Sequence, residues 1–374
     1  MLGSGAVFLE GSVVNVALPA IARDFHVGVV GLQWVLNGYL LTLSALMLLG
    51  GALGDRFHRP RVFAIGCIAF AIASIGCALA PNLVMLVALR VVQGAAGALL
   101  VPNSLAMLDT AFDGEERGSA IGQWAAWSAV STAGGPFLGG WIVDALSWRW
   151  IFSAVVVVAI AAALIVMVSH SSFAAKRSTA RATSGHGIDY AGAAIGTLAL
   201  AGLVGALMSG PVIGFTDWRV LAAGIGGAVL LAAFVAYEHW VSHRGAEPIL
   251  KLSIFRSRQF SGVNAATFLV YAALNGLFFL LMPQLQVNLG YSALRAGAAL
   301  SPANVIMLVV SPIAGRASAR VGARVLMTSG AAIAAVGMLL FARVQPGTSY
   351  LSTTFPATVV FGFGLALLVA PLTS

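Results

Sequence analysis

Charge is what this sequence has least of. Of its 374 residues only 9% are charged, while 60% are hydrophobic. A globular domain carries about 25% charged residues, so this chain cannot clothe a water-facing surface of its size and holds no separate soluble domain. Acids are scarcer than bases, 12 Asp and Glu against 20 Lys and Arg, for a net charge of +8. That excess is scattered over short stretches between apolar runs and forms no long basic face, which argues against nucleic acid as a partner. Cysteine is nearly absent. Cys67 and Cys77 lie ten residues apart in one apolar run, about 15 Å on a helix and beyond disulfide reach, so both read as packing residues. No cluster of metal-ligating residues stands out, and no cofactor is expected. Neither a Walker motif nor a phosphate-cradling loop is present, which argues against ATP-driven work, and no catalytic dyad points to an enzyme. No basic stretch and cleavage site precede the first apolar run, so no cleavable signal peptide is expected.

What is abundant is apolar length. Mean hydropathy is +0.96, and a helix needs about 20 apolar residues to cross a bilayer. Twelve such segments are expected, near 2–22, 33–54, 62–80, 83–108, 117–145, 149–169, 189–210, 219–238, 260–284, 295–315, 324–343 and 350–373. Pro81-Asn82, Asp113 to Arg117, Trp148-Arg149-Trp150 and Gly185-His186-Gly187 punctuate them. The expected fold class is an all-α membrane protein. Alternate loops divide the basic residues unevenly: fourteen fall in the set that includes Arg56, Arg59, Arg61, Lys176 and Arg324, and five (Arg23, Arg149, Arg219, Arg295, Arg343) in the other. Positive loops stay in the cytoplasm, which places the amino terminus there too.

The segment Gly51-Ala-Leu-Gly-Asp55-Arg56-Phe-His58-Arg59-Pro-Arg61 reads as a short basic turn between two apolar runs. The stretch from Gly315 to Arg324 echoes it, with Arg320 over Arg56. Both turns fall on the cytoplasmic side, so two halves run parallel.

Within the spans, a few polar residues stand out because each is costly in lipid. Glu10 sits near the middle of the first span. Desolvation favours its neutral form, so it can hold a proton and release it when water arrives; alternatively it stays neutral and packs. Arg90 is the basic residue inside a span, with Gly94, Gly97 and Val101 on its helix face where small residues admit a second helix. Arginine does not unload its proton, so Arg90 either biases a nearby carboxylate, bonds a backbone carbonyl, or clamps the bundle. In the fifth span, Pro136 kinks a segment rich in glycine, Gly134-Gly135-Pro136-Phe-Leu-Gly139-Gly140. Gln123, Trp127 and Ser131 share one face there, which either lines a cavity or packs. Asn264, Tyr271 and Asn275 share a face of the ninth span, either as a wet lining or as interhelical bonds. Asn15 and Gln93 complete the cavity candidates.

These residues resemble the fourteen-helix drug:proton antiporters of the major facilitator superfamily. Leu9-Glu10-Gly-Ser12 through Pro19 is similar to that family's first-helix motif, which usually has Asp and Thr where Glu10 and Ser12 stand. Gly51 to Arg61 is similar to its loop motif, with His58 where Gly is usual, and Arg90-Val-Val-Gln93-Gly94 to its fourth-helix motif. Gly122 through Gly135-Pro136-Phe-Leu-Gly139-Gly140 is similar to its antiporter motif, with Ser131 replacing one glycine. Asp189-Tyr190-Ala-Gly192 resembles the start of two extra helices between the halves, and Glu247 to Arg256 the linker into the second half.

The resemblance implies two helical-bundle halves with two extra helices between them. The expected divisions are a six-helix bundle at 1–170, linker helices at 171–245 and a second bundle at 246–374 with four helices, two more being expected beyond Ser374. It implies Glu10 and Arg90 in proton coupling, and Gly51, Asp55, Arg56 and Arg59 as a cytoplasmic gate in which Asp55 and Arg56 form the latch. It also implies export of drugs or other amphiphilic or cationic compounds across the cytoplasmic membrane of a bacterium, driven by the proton gradient. A dedicated exporter of an endogenous lipid or secondary metabolite, and a truncated membrane protein that transports nothing, stand as alternatives. Whether an envelope protein joins the assembly stays open.

Overall fold

The structure is a computed structural model and describes residues 1–112, 114–168, 189–244, 250 and 252–369. Thirteen α-helices follow one another among them: α1 (Leu2–Phe25), α2 (Val29–Phe57), α3 (Arg59–Leu79), α4 (Leu83–Ala111), α5 (Gly114–Ala145), α6 (Arg149–Val168), α7 (Tyr190–Ile213), α8 (Trp218–His243), α9 (Arg258–Pro283), α10 (Ala293–Ala299), α11 (Ser301–Val321), α12 (Ala323–Phe341) and α13 (Phe355–Val369). Pro81-Asn82, read from sequence as punctuation, becomes a helix cap. Asn82, after Pro81, accepts from the Met85 amide at 2.9 Å to start α4, and Asp189 accepts from Gly192 at 2.8 Å to start α7. Such side-chain acceptors satisfy amides that the first turn leaves orphaned. Gly185-His186-Gly187 and Glu247 to Ile249 of the linker lie outside the described residues, and so do residues 171–188 and 245 of the expected middle division.

Among the described residues, eleven segments are long and apolar enough to cross a membrane. They correspond to eleven of the twelve expected spans. The twelfth, α5, is a continuous helix of 32 residues that is not among them; its glycines, serines and threonine dilute its hydropathy without breaking the helix.

The chain divides into two compact units. The first comprises Met1–Ser12, Ile21–Thr132 and Trp148–Ser253. In it α4 lies between α2 and α3, α3 also packs on α6, and α7 pairs with α8 and touches α2. Its core gathers Tyr39, Phe63, Cys67, Phe70, Leu100 and Val155. The second comprises Val13–Ala20, Ala133–Ser147 and Ile254–Ser374, with α13 packed on α11 and α12 and a core around Met282, Leu285, Phe341 and Phe361.

Apolar burial does not drive helices together in lipid, where close backbone approach does. A methyl group on Gly50 would collide with the Ala98 carbonyl, and one on Gly94 with the Tyr39 carbonyl and the Thr42 hydroxyl. These contacts weld α2 to α4, and Thr42 donates to the Val91 carbonyl at 2.8 Å between them. The outward stripe of α3, Ile65, Ile68, Ile72, Ile75 and Leu79, stays exposed, as a lipid-facing surface must.

The basic turn differs from the sequence reading. Gly51 to Phe57 are helical, the end of α2, and the reversal is made by His58 alone, at φ 78° and ψ 103°. The helix persists because nothing in Gly51-Ala-Leu-Gly-Asp-Arg-Phe forbids it, and Pro60 sits in the first turn of α3 where its missing amide costs nothing. The echoed turn has the same form: α11 ends at Val321, and Gly322 at φ 92° leads into α12. Glycine adopts such a φ freely and histidine does not. Replacing His58 with glycine is therefore expected to raise stability, by on the order of 1 kcal/mol, read as a higher thermal midpoint in detergent; a lower midpoint would contradict this account of the turn.

Candidate functional site

The first unit holds two fully buried opposite charges. Glu10 of α1 and Arg90 of α4 are both 0% exposed, and the Arg90 Nη1 donates to Glu10 Oε1 at 2.7 Å. The contact is made through one nitrogen and one oxygen. Glu10 Oε2 and Arg90 Nη2 have no hydrogen-bond partner among the described residues. Two charges that each lost their water are held by their mutual attraction in a low dielectric, and removing either leaves the other uncompensated.

Arg90 has further anchors. Its Nε donates to the Val35 carbonyl of α2 at 3.0 Å, and Nη1 also donates to Gln93 Oε1 at 2.7 Å. Its guanidinium lies over the Tyr39 ring at 4.2 Å and faces Phe152 of α6 at 5.8 Å. Gln93 in turn donates to Ser74 of α3 at 2.7 Å. Tyr39 is pinned by its hydroxyl, which donates to the Val7 carbonyl of α1 at 2.9 Å. Gln93, expected as a cavity residue, is fully buried in this network. Its position three residues after Arg90 puts both on one helix face, which is why the network forms.

Asp55, Arg56 and Arg59 lie at the α2–α3 turn. Asp55 pairs with Arg59, with Nη2 at 2.7 Å, and not with Arg56; Arg56 stands over the Phe57 ring at 5.7 Å. The reversal at His58 sets Arg59, the first residue of α3, beside Asp55 near the end of α2. Arg59 also donates to the Ala106 carbonyl of α4 at 3.1 Å. Nearby, Asn103 of α4 donates to the Gly50 carbonyl at 2.9 Å. Gly51 lies one residue on, with Pro102 of α4 3.6 Å from where a side chain would begin.

The glycine-rich half of α5 belongs to the second unit. Gly135, Pro136, Gly139 and Gly140 are buried there. A methyl on Gly139 would meet the Val13 carbonyl of α1 at 3.0 Å; one on Gly140 would collide with the Ala293 carbonyl, and one on Gly297 with that of Pro136. So this segment serves close helix approach. At its end Asp144 accepts from the Ala293 and Leu294 amides at 3.0 and 2.7 Å, capping α10 from another helix. Asp144→Ala is expected to cost about 1 kcal/mol, with Asp144→Asn costing less, by thermal denaturation; equal midpoints for all three proteins would deny the cap. Gly122 lies in the first half of α5, where Gln123 and Trp127 are exposed and Ser131 is half-buried. Ser131 Oγ comes within 3.0 Å of where a Gly5 side chain would begin. The neighbouring Trp124 donates to Ser104 at 3.1 Å.

On α9, Asn264, Tyr271 and Asn275 are exposed. Asn264 donates to the Phe260 carbonyl at 2.9 Å and Asn275 to that of Tyr271 at 2.8 Å. These bonds stay within one helix. Asn15 is half-buried in α1.

The whole chain matches the Major Facilitator Superfamily, over residues 1–183 and 171–374. It is 32% identical over 374 residues to the Multidrug resistance protein Stp of Mycobacterium tuberculosis, covering 100% of this chain and 67% of that protein. It is 33% identical over 369 residues to the Puromycin resistance protein pur8 of Streptomyces alboniger, covering 98% and 71%. To the Tetracenomycin C resistance and export protein of Streptomyces glaucescens it is 32% identical over 372 residues, covering 98% and 66%. The chain thus spans about two thirds of the length of these relatives. The chain belongs to the Major Facilitator Superfamily. A solved structure of the xylose transporter XylE from E. coli, in a partially occluded inward-open conformation, shares the fold at TM-score 0.59 and 13% identity, covering 100% of this chain and 82% of that one.

As a superfamily member the chain is a multi-pass membrane protein. Sequence singled out Glu10, Arg90 and Gln93. It missed Ser74, Tyr39 and Asp144. Serine and tyrosine within apolar runs carry no mark of their partners, and the partner of Asp144 lies 149 residues away.

Proposed function

We propose that this protein exports drugs or other amphiphilic, including cationic, compounds across the cytoplasmic membrane in exchange for protons, with no cofactor and no enzymatic step. The observation that carries the reading is the Glu10–Arg90 pair, buried at 0% exposure and joined through one oxygen. Placing that pair in a bundle costs desolvation that an apolar pair would avoid, which favours a working role. Glu10 Oε2, which has no hydrogen-bond partner among the described residues, can take the proton. Arg90 keeps its charge throughout and stabilises the ionised carboxylate after the proton leaves. Cargo would bind near the bilayer midplane, as in other transporters built from parallel repeats. Gln123, Trp127, Asn264, Tyr271 and Asn275, polar or amphipathic yet exposed, are the residues we assign to it, with Asn15. The Asp55–Arg59 pair serves as the cytoplasmic gate, and Gly135 to Gly140 as the antiporter seam. The amino terminus is cytoplasmic, and residues 1–170, 171–245 and 246–374 form the first bundle, the linker helices and the second bundle. The names of the relatives, which speak of resistance to multiple drugs and to single antibiotics, support the cargo class.

Everted membrane vesicles test this. A pH gradient imposed on vesicles containing the protein should drive accumulation of at least some members of a panel of amphiphilic dyes and antibiotics. Uptake of none above protein-free vesicles would oppose the reading. A second reading, a dedicated exporter of one endogenous metabolite, is favoured by the relative named for both resistance and export; accumulation of a single chemotype from the panel would select it.

A further inference from the structure

We infer that Ser74 of α3, acting through Gln93, is a positioning residue that holds Arg90 in place independently of Glu10, so that proton loading frees α1 and leaves the arginine where it is. The inference rests on Glu10 being the proton site.

The hydrogen-bond roles in this chain are dictated outward from the arginine. Arg90 only donates, so Gln93 must present Oε1 to it, at 2.7 Å. That turns the Gln93 Nε2 toward Ser74, where the serine must accept, at 2.7 Å. The serine can accept because its own proton goes to the Phe70 carbonyl at 2.8 Å. Flipping the Gln93 amide would set a donor against the guanidinium and an acceptor against a hydroxyl that has already committed its proton. Both side chains are fully buried, so water does not offer an alternative. A serine that bonds only the carbonyl four residues back is ordinary in a membrane helix. This one also takes an amide from a different helix, and so fixes which way that amide points.

The two charged groups are held unequally. Without Glu10, Arg90 still has the Val35 carbonyl, Gln93 and two aromatic faces. Without Arg90, Glu10 keeps only a side-chain hydrogen bond with Gln93. When a proton neutralises the carboxylate, the ionic attraction goes and the side with fewer anchors lets go. The titratable groups against the cluster are Glu10 from α1, Tyr39 from α2 and Cys77 from α3, whose Sγ is 3.8 Å from Gln93 Oε1; α6 contributes only the Phe152 ring.

The test follows the carboxyl itself and needs no cargo. Infrared difference spectra of the purified protein in lipid are recorded against pH, and the band of a protonated buried carboxyl is assigned to Glu10 by its loss in Glu10→Gln. In Ser74→Ala the Gln93 amide is no longer fixed, Arg90 stabilises the carboxylate less well, and the half-point of the band should move up by about one pH unit, a tenfold change. Ser74→Thr, which keeps the hydroxyl, should return to within a few tenths of a unit. Should the alanine variant not fold, Ser74→Cys, a weak acceptor, should move the half-point the same way. A Glu10 band whose half-point is the same in wild type and in Ser74→Ala or Ser74→Cys overturns the inference and leaves the proton site standing. A spectrum in which no titrating band depends on Glu10 overturns the proton-site reading itself.

Discussion

Replacing Glu10 with leucine is expected to abolish stable folding, whereas Glu10→Gln should fold and lose coupling. Arg90 is 0% exposed. Leucine leaves its charge without a counter-ion in a dry site, which costs about 3–5 kcal/mol. That is a large fraction of the stability of an ordinary domain. Glutamine offers a carbonyl oxygen to Nη1 in place of Oε1, so the network keeps its bonds and loses only a net charge. The purified glutamine variant should therefore elute as a monodisperse peak at a yield comparable to wild type, while leucine should give aggregate. Because glutamine takes up no proton, cargo movement in that variant should no longer respond to pH. Wild-type yield and pH response in Glu10→Leu would mean that the carboxylate neither balances Arg90 nor carries a proton.

Gly94→Val should be nearly as damaging, for a steric reason. A first side-chain carbon at this position would overlap the Tyr39 carbonyl and the Thr42 hydroxyl, and neither backbone can move aside alone. α2 and α4 would have to part, stretching the Thr42 bond to Val91, 2.8 Å long, and shifting Arg90 one turn away on the same helix. Overpacking of this kind costs about 3 kcal/mol. The measurable result is a large fall in thermal midpoint together with loss of transport. Gly134→Ala is the contrast, since nothing lies within 4 Å of its missing side chain, and it should behave as wild type. Equal stability of the two variants would show that α2 and α4 do not approach as closely as described.

The membrane fold was legible because lipid imposes one rule on every span, and eleven of twelve expected spans satisfy it by apolar length. The exception is informative. α5 spends hydropathy on Gly, Ser and Thr, and spends it where Gly139 and Gly140 meet Val13 and Ala293. Glu10 and Arg90 were legible for the same reason, since a charge in an apolar run is too costly to be incidental. Their neighbours were not. Ser74 and Tyr39 are common in membrane helices, and what distinguishes them is partners 19 and 32 residues away. The Asp55–Arg59 pairing was not legible because the segment from Gly51 reads as a loop. It depends on the reversal at His58, which sets the end of α2 beside the start of α3. His58, noted only as a departure from glycine, turned out to be where the chain reverses.

The account stands on a proton moving one way as cargo moves the other. Proteoliposomes holding a pH-sensitive dye, with equal pH on both sides, can be given an outwardly or inwardly directed gradient of a transported dye or antibiotic and nothing else. Cargo flowing down its gradient should change the internal pH, with the sign reversing when the gradient is reversed and the change vanishing in Glu10→Gln. Cargo flux of undiminished rate with no movement of internal pH in either direction would contradict it.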